Sequence, residues 1–226
     1  MSAIPLIFTS GWASGINSYA VVIVLGLLGR FDHMSAVPPA LERTDVLAVM
    51  AVLFIGQFVV GKIPYLDSAW DVVHTAIRPV MGSAIGVMMT NHAHSLTQAV
   101  GGAALSHLPG GASMTQVVGG ATIGGGSALA THLIKTGVRM GINASPEPVS
   151  NIIASIVEDL TVAGMVAFAL LHPVAAAVVA AILLVLGLIL VIMLAKRIRR
   201  AWRRRRERRL HRQAAAGQVR RQPMTR

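Results

Sequence analysis

From Pro173 to Ala195 the chain runs without a charged residue, and this stretch limits the fold more than any other. As a helix rising 1.5 Å per residue it reaches about 34 Å, enough to cross the roughly 30 Å hydrocarbon core of a bilayer. It stops at Lys196-Arg197, the head of the basic run AKRIRRAWRRRRERRLHR. An arginine cluster directly after a span is retained on the cytoplasmic side, so the sequence predicts a cytoplasmic C-terminal tail.

The rest of the composition agrees with a membrane setting. With 54% hydrophobic and 13% charged residues, and a mean hydropathy of +0.65, there is too little polar surface to cover a soluble globule of 226 residues. The net charge of +11 is local. Lys196 to Arg226 holds fourteen Lys and Arg against Glu207, a net +13, whereas the preceding segment has Arg30, Arg43, Lys62, Arg78, Lys135 and Arg139 against eight acids, a net −2. The lack of cysteine excludes disulfides and thiolate metal sites. The opening MSAIPLIFTSGWASG has no basic residues ahead of its apolar ones, so a cleaved signal is not expected and the first helix should stay in the membrane.

The fold class expected is all-α and polytopic, with about six transmembrane helices. Spans are read at about Ile4 to Gly29, Val46 to Gly61, Ala112 to Ile134, Val149 to Leu171 and Pro173 to Ala195. A further crossing falls between Arg78 and Gly110, interrupted by Asn91-His92-Ala93-His94-Ser95 or by Gly101-Gly102. A re-entrant hairpin there would carry Lys135, Arg139 and the tail outside, against the charge bias, so one interrupted crossing is preferred. This gives a membrane domain over residues 1–195, a basic tail over 196–226, and both termini in the cytoplasm.

An internal repeat is suggested by Gly11, Gly15, Ser18, Arg30 and Pro39, which match Gly120, Gly124, Ser127, Arg139 and Pro148 at one offset. Later, IRPVMGSA around Pro79 resembles LHPVAAAV around Pro173. Halves of three spans, residues 4–110 and 112–195, would be inverted relative to one another, a plan in which broken helices build a site near the midplane. The plainer explanation is that small residues recur wherever membrane helices approach closely.

Glu158 and Asp159 interrupt the apolar stretch from Ile152 to Leu171. Each unpaired charge at that depth costs roughly 2.5 to 3.5 kcal/mol on the lenient scale, so the pair must face protein, water or a cation. Asn151, Ser155 and Glu158 share one helical face, with Asp159 beside it. The preceding span offers partners: Ser127, Thr131 and Lys135 line one face, and His132, Lys135 and Arg139 an overlapping one. Pairing of Lys135 or His132 with the acids would offset part of their desolvation. The alternatives are a solute, ion or proton pathway and a polar network that only pins helices together.

IPYLDSAWDVVHTAIRP, Ile63 to Pro79, reads as an amphipathic helix, with Leu66, Ala69, Trp70, Val73 and Ile77 opposite Asp67, Asp71, His74 and Arg78. It is expected to lie in the interface, anchored by Tyr65 and Trp70. The rival reading is a gate in which Asp67, Asp71 and Arg78 close a cytoplasmic vestibule. GGATIGGGS, Gly119 to Ser127, lacks the lysine and the preceding strand of a phosphate loop, and reads as a packing segment. His92, His94 and His107 are too loosely spaced for a metal centre, and neither metal nor cofactor is expected. In the tail, Lys196, Arg197, Arg199, Arg200, Arg203 and Arg204 suit anionic lipid headgroups at about 1 kcal/mol each, with Trp202 as an interfacial anchor. Nucleic-acid binding rests on charge alone and is disfavoured.

Three stretches, GWASGINSYAVVIVLGLLGRF, IPYLDSAWDVVHTAIRP and HLIKTGVRMGINASPEPVSNIIASIVEDL, together resemble a family of bacterial integral-membrane proteins known as domain of unknown function 4126. The resemblance spans about Gly11 to Ala195 and implies a bacterial multi-pass membrane protein without naming a substrate. It also implies acidic residues where this chain has Gln57 and Gly61. A symmetric two-carboxylate cation site is then doubtful, whereas a site on Glu158 with Gln57 as neutral partner survives.

The function expected is an inner-membrane transporter or channel for an ion or small solute, not an enzyme, with Glu158, Asp159, Asn151, Ser155, His132, Lys135 and Gln57 along the pathway. The alternative is a scaffold whose tail binds lipid or a partner. Homo-oligomerisation is left open by the sequence.

Overall fold

The computed structural model describes residues 3–60, 63, 66–100, 112–143 and 148–221. Side chains are described throughout these segments except at 67–68, 97–100, 141–143, 148, 150–151, 201–202 and 204–221. Six α-helices follow one another: α1 (Ile4–Asp32), α2 (Thr44–Val60), α3 (Leu66–Val100), α4 (Met114–Asn143), α5 (Pro148–Leu171) and α6 (Pro173–Arg221), with a 3₁₀ turn at Pro39–Glu42. The protein is thus a polytopic helical membrane protein. Five of the helices are long and apolar enough to cross a bilayer, and α2 is shorter.

Proline sets several boundaries. Pro5 sits in the first turn of α1, where its missing N–H costs nothing. Pro173 opens α6 one residue after α5 ends, because a proline ring cannot continue a helix but starts one readily. α1 ends at His33, whose left-handed backbone (φ 50°) stops the helix.

Small residues then decide which helices meet. A Cβ on Gly86 would collide with the carbonyl oxygen of Gly120, and one on Gly124 with that of Gly82. On the other side of α4, a Cβ on Gly11 would strike Ser127 Oγ and the Gly124 carbonyl, and one on Gly15 the Ala128 carbonyl. Lipid offers no hydrophobic gain from helix pairing, so close backbone approach supplies the contact. The G-x-x-x-G spacings therefore bring α1, α3 and α4 together. Gly11 and Gly124 touch directly.

α1 does not run straight. Asn17 has φ −151° and ψ 96°, an extended residue between two helical limbs. Up to Asn17 the chain runs antiparallel to α3: Ala3, Ile4 and Ile7 line a cavity with Thr90, Ala93 and His94, and Gly15 lies at Arg78. Beyond Asn17 it returns. His92 bonds to the Ser35 carbonyl at 2.9 Å, so the residues just after α1 also lie beside the far end of α3. Both ends of α1 stand at one end of the bundle, and Asn17 is the tip of a helical hairpin. Sequence reading takes Ile4 to Gly29 as a crossing. Hydropathy alone cannot separate a helix that crosses from one that dips and returns.

α2 descends beside the returning limb, with Arg30 Nη1 donating to Thr44 Oγ1 at 2.9 Å and Leu47 against Gly26. α4 runs antiparallel to α3, α5 antiparallel to α4, and α6 parallel to α4, as Ile134 meets Gly187 and Gly137 meets Val191. The apolar core surrounds α1, joining Trp12, Ile16, Val21, Val22 and Leu25 to Ile85 and Met89 of α3 and to Val162, Val166 and Ala169 of α5.

Two expectations change. α3 is one helix through Asn91 and His94, not a crossing interrupted there; Gly101 and Gly102, like His107 and Lys62, fall outside the described residues. Tyr65 lies outside the described residues, and from Leu66 to Pro79 the segment read as interfacial is no separate helix but the first turns of α3. Its Asp71, His74 and Arg78 are 1%, 1% and 0% exposed, while Val72 and Val73 face outward. The polar face turns inward because other helices present charges to it.

Candidate functional site

The hairpin tip is where the chain concentrates its buried charge. An extended residue inside a helix strips the preceding carbonyls of their helical donors, and a buried unpaired carbonyl is costly. Two cations meet that need: Arg78 Nη1 donates to the Gly15 carbonyl at 3.1 Å, and Lys135 Nζ to the Ile16 carbonyl at 3.0 Å. Asn17 starts the returning limb as its N-cap, its Oδ1 accepting from the Ala20 N–H at 3.1 Å. Its amide Nδ2 donates to Asp159 Oδ1 at 2.8 Å, tying the tip to α5.

Around the tip the charges pair across helices. Arg78 Nη2 lies 3.2 Å from Asp71 Oδ1 within α3. Arg139 grips Glu158 through both carboxylate oxygens, Nε to Oε1 at 2.9 Å and Nη2 to Oε2 at 3.0 Å, the fork geometry that makes such pairs strong. Lys135 Nζ adds a contact to Glu158 Oε2 at 3.1 Å. Three cations thus meet three carboxylates, a balance that a low-dielectric site requires. Glu158 remains the most open of the paired groups, its side chain 21% exposed.

Both histidines have their protons fixed by their partners. Arg78 Nη1 lies 2.7 Å from His132 Nδ1, and a guanidinium can only donate, so Nδ1 accepts and the ring is neutral. His132 Nε2 then donates to Thr75 Oγ1 at 3.0 Å, whose hydroxyl donates on to the Asp71 carbonyl. The sequence reading offered Lys135 or His132 as partner of Glu158 or Asp159; Lys135 takes that place, while His132 meets Arg78 and Thr75 of α3. His74 donates from Nδ1 to the Trp70 carbonyl at 2.8 Å and meets the Tyr19 hydroxyl with Nε2 at 3.0 Å.

Gln57 of α2 and Ser155 of α5 complete the lining, both more than nine-tenths buried. They enclose a cavity of about 10 Å³ with Phe58, Trp70, Asp71, Arg78, Lys135, Arg139, Glu158 and Asp159. That is room for about one water and for no solute, so the site is closed. A larger cavity of about 410 Å³ lies between the outer ends of α1, α3 and α4, lined mainly by apolar side chains with Thr90, His94 and Gln116.

The sequence residues thus divide. Glu158, Asp159, Ser155, Lys135 and Gln57 come together on the small cavity, joined by Asp71 and Arg78 from the segment read as interfacial. The side chains of Asn151 and Asp67 are outside those described. Lys196, Arg197, Arg199, Arg200 and Arg203 are exposed on α6, far along the chain from the tip, and the side chains of Trp202 and Arg204 are again outside the description. Among the described residues no group of three or more His, Cys, Asp and Glu is arranged to hold a metal. Missed from sequence were Asn17, Tyr19 and Thr75. The signal was present for Asn17, an amide inside an apolar stretch and subject to the same burial argument as Glu158.

No curated protein and no solved structure matches this chain. One family model does, over residues 4–193, and it takes in the hairpin, the charge cluster and all but the last two residues of the charge-free part of α6. The chain belongs to the family described as Domain of unknown function (DUF4126).

Proposed function

We propose that this protein is a small transporter or channel for an ion or small solute, described here with its site closed, in the inner membrane of a bacterium. The observation that carries the reading is the helix break at Asn17 inside a largely buried cluster of paired charges. A network meant only to pin helices together has no need of a broken helix whose carbonyls must be rescued by Arg78 and Lys135. Broken helices at buried polar sites are the usual means by which a membrane protein offers backbone groups to a passing species.

In this reading α1 dips into the bilayer and returns, α2 to α6 cross it, and the termini lie on opposite faces. The arginine-bearing end of α6 faces the cytoplasm and the start of α1 faces out. This differs from the arrangement with both termini inside that follows from six crossings. Five crossings, α2 to α6, do not divide into two equal three-span halves.

Flux into proteoliposomes, screened over ions and small metabolites, tests the reading, with Glu158→Gln as the comparison. We expect transport by the wild type and its loss in Glu158→Gln while the variant stays monodisperse. Equal flux in both removes Glu158 from the mechanism. A second reading, a scaffold acting through its tail, is favoured by α6 continuing as one helix to Arg221 with its basic side chains exposed through Arg200. There, removal of residues 196–226 would abolish binding to anionic vesicles and leave no flux to lose.

A further inference from the structure

The small cavity at the hairpin tip is bordered by polar atoms that make no hydrogen bond: Gln57 Oε1, Trp70 Nε1 and both carboxylate oxygens of Asp71. Asp71 Oδ1 has the Arg78 ion pair, which leaves Oδ2 with nothing upon it. Gln57 is 8% exposed and Asp71 1%. Unsatisfied groups buried this deeply are rare in a folded protein, and several of them around one void point to an occupant.

The occupant must donate to Asp71 Oδ2 and Gln57 Oε1 and accept from the Trp70 N–H. Water does both. A metal cation would suit the acceptors, yet it would meet the Trp70 N–H and share the cavity with Arg78, Lys135 and Arg139. The volume of about 10 Å³ also matches one water.

We propose that a single water occupies this cavity and relays a proton between Asp159 and Asp71, so that the ion this protein moves is the proton. The inference rests on the transport reading above and names its substrate. A proton arriving on Asp159 breaks no ion pair, because the hydrogen-bond partner of that carboxylate is the neutral amide of Asn17. Asp159 gives the proton to the water as the water gives one of its own to Asp71 Oδ2. Only O–H bonds form and break, and the water is regenerated. Oδ1 of Asp71 keeps its place on Arg78 throughout. Glu158, clamped by Arg139 and Lys135, holds the charge balance and is not on the relay. His74 and His132, the remaining titratable rings near Asp71, are engaged by Tyr19, Trp70, Arg78 and Thr75.

The test uses the full-length protein in proteoliposomes with a trapped pH dye and a potassium–valinomycin clamp. Wild type should dissipate an imposed pH gradient. Gln57→Leu, which keeps every ion pair and removes one of the water's partners, should slow it by about tenfold or more. Asp71→Asn should do the same, and where that variant fails to remain monodisperse Gln57→Leu decides. Unchanged proton flux in Gln57→Leu overturns the relay. Movement of another solute with no proton flux overturns it too and leaves the transport reading standing, whereas no flux of any kind removes both.

Discussion

α1 and α6 are both apolar helices of more than twenty residues, and the bundle treats them in opposite ways. Over their most apolar windows 78% of α1 is buried inside the protein and only 6% of α6. The charge-free part of α6 is built of Val, Ile, Leu and Ala with a single glycine, meets the rest through Ala176, Ala180, Gly187 and Val191, and turns most of its larger side chains outward. α1 carries Gly11, Gly15, Ser10, Ser14, Asn17 and Ser18 among its apolar residues. Its small side chains admit α4 closely, and its one amide breaks it. Greasiness takes a helix into the membrane. Small and polar residues decide whether it crosses alone or is held in the middle and turned back.

The sharpest way to break this contrast is at the cations that hold the tip. Arg78→Ala leaves Asp71 and the Gly15 carbonyl buried without their partner and should cost about 3–5 kcal/mol, read as loss of folded protein in detergent melts. Gly86→Leu forces a side chain onto the Gly120 carbonyl; overpacking against backbone should cost about 3 kcal/mol and weaken the α3–α4 seam. Asn17→Ala removes the N-cap and the bond to Asp159 together, for roughly 2 kcal/mol, and should loosen the tip without unfolding the bundle. Leu186→Ala, on the lipid face of α6 at 55% exposure, should change stability by less than about 0.5 kcal/mol. A large effect there would mean that this face of α6 packs against protein.

What the sequence made legible follows the same division. α6 could be read as a helix long and apolar enough to cross a bilayer, because its charge-free run has no break. Glu158 and Lys135 could be brought to one site, because charges at that depth must find one another. The hairpin could not be read. A hydropathy window sees the same apolar residues whether the chain goes on or comes back, and Asn17 stands among serines and glycines that look like ordinary packing. The direction of the Asp71, His74 and Arg78 face was equally hidden, since periodicity defines a polar face without saying whether it meets water or the charges of other helices. His132 was drawn toward the wrong partner because spacing along α4 does not reveal which helix lies against it.

Site-directed labelling of single cysteines tests the hairpin most directly, since the chain contains no cysteine of its own. Reporters at Ile4, Ser35 and Arg203 can be treated with a membrane-impermeant maleimide in sealed vesicles of known orientation. Ile4→Cys and Ser35→Cys should label from the same face and Arg203→Cys from the other. Labelling of Ile4→Cys and Ser35→Cys from opposite faces would make α1 a crossing helix and leave the site without its tip.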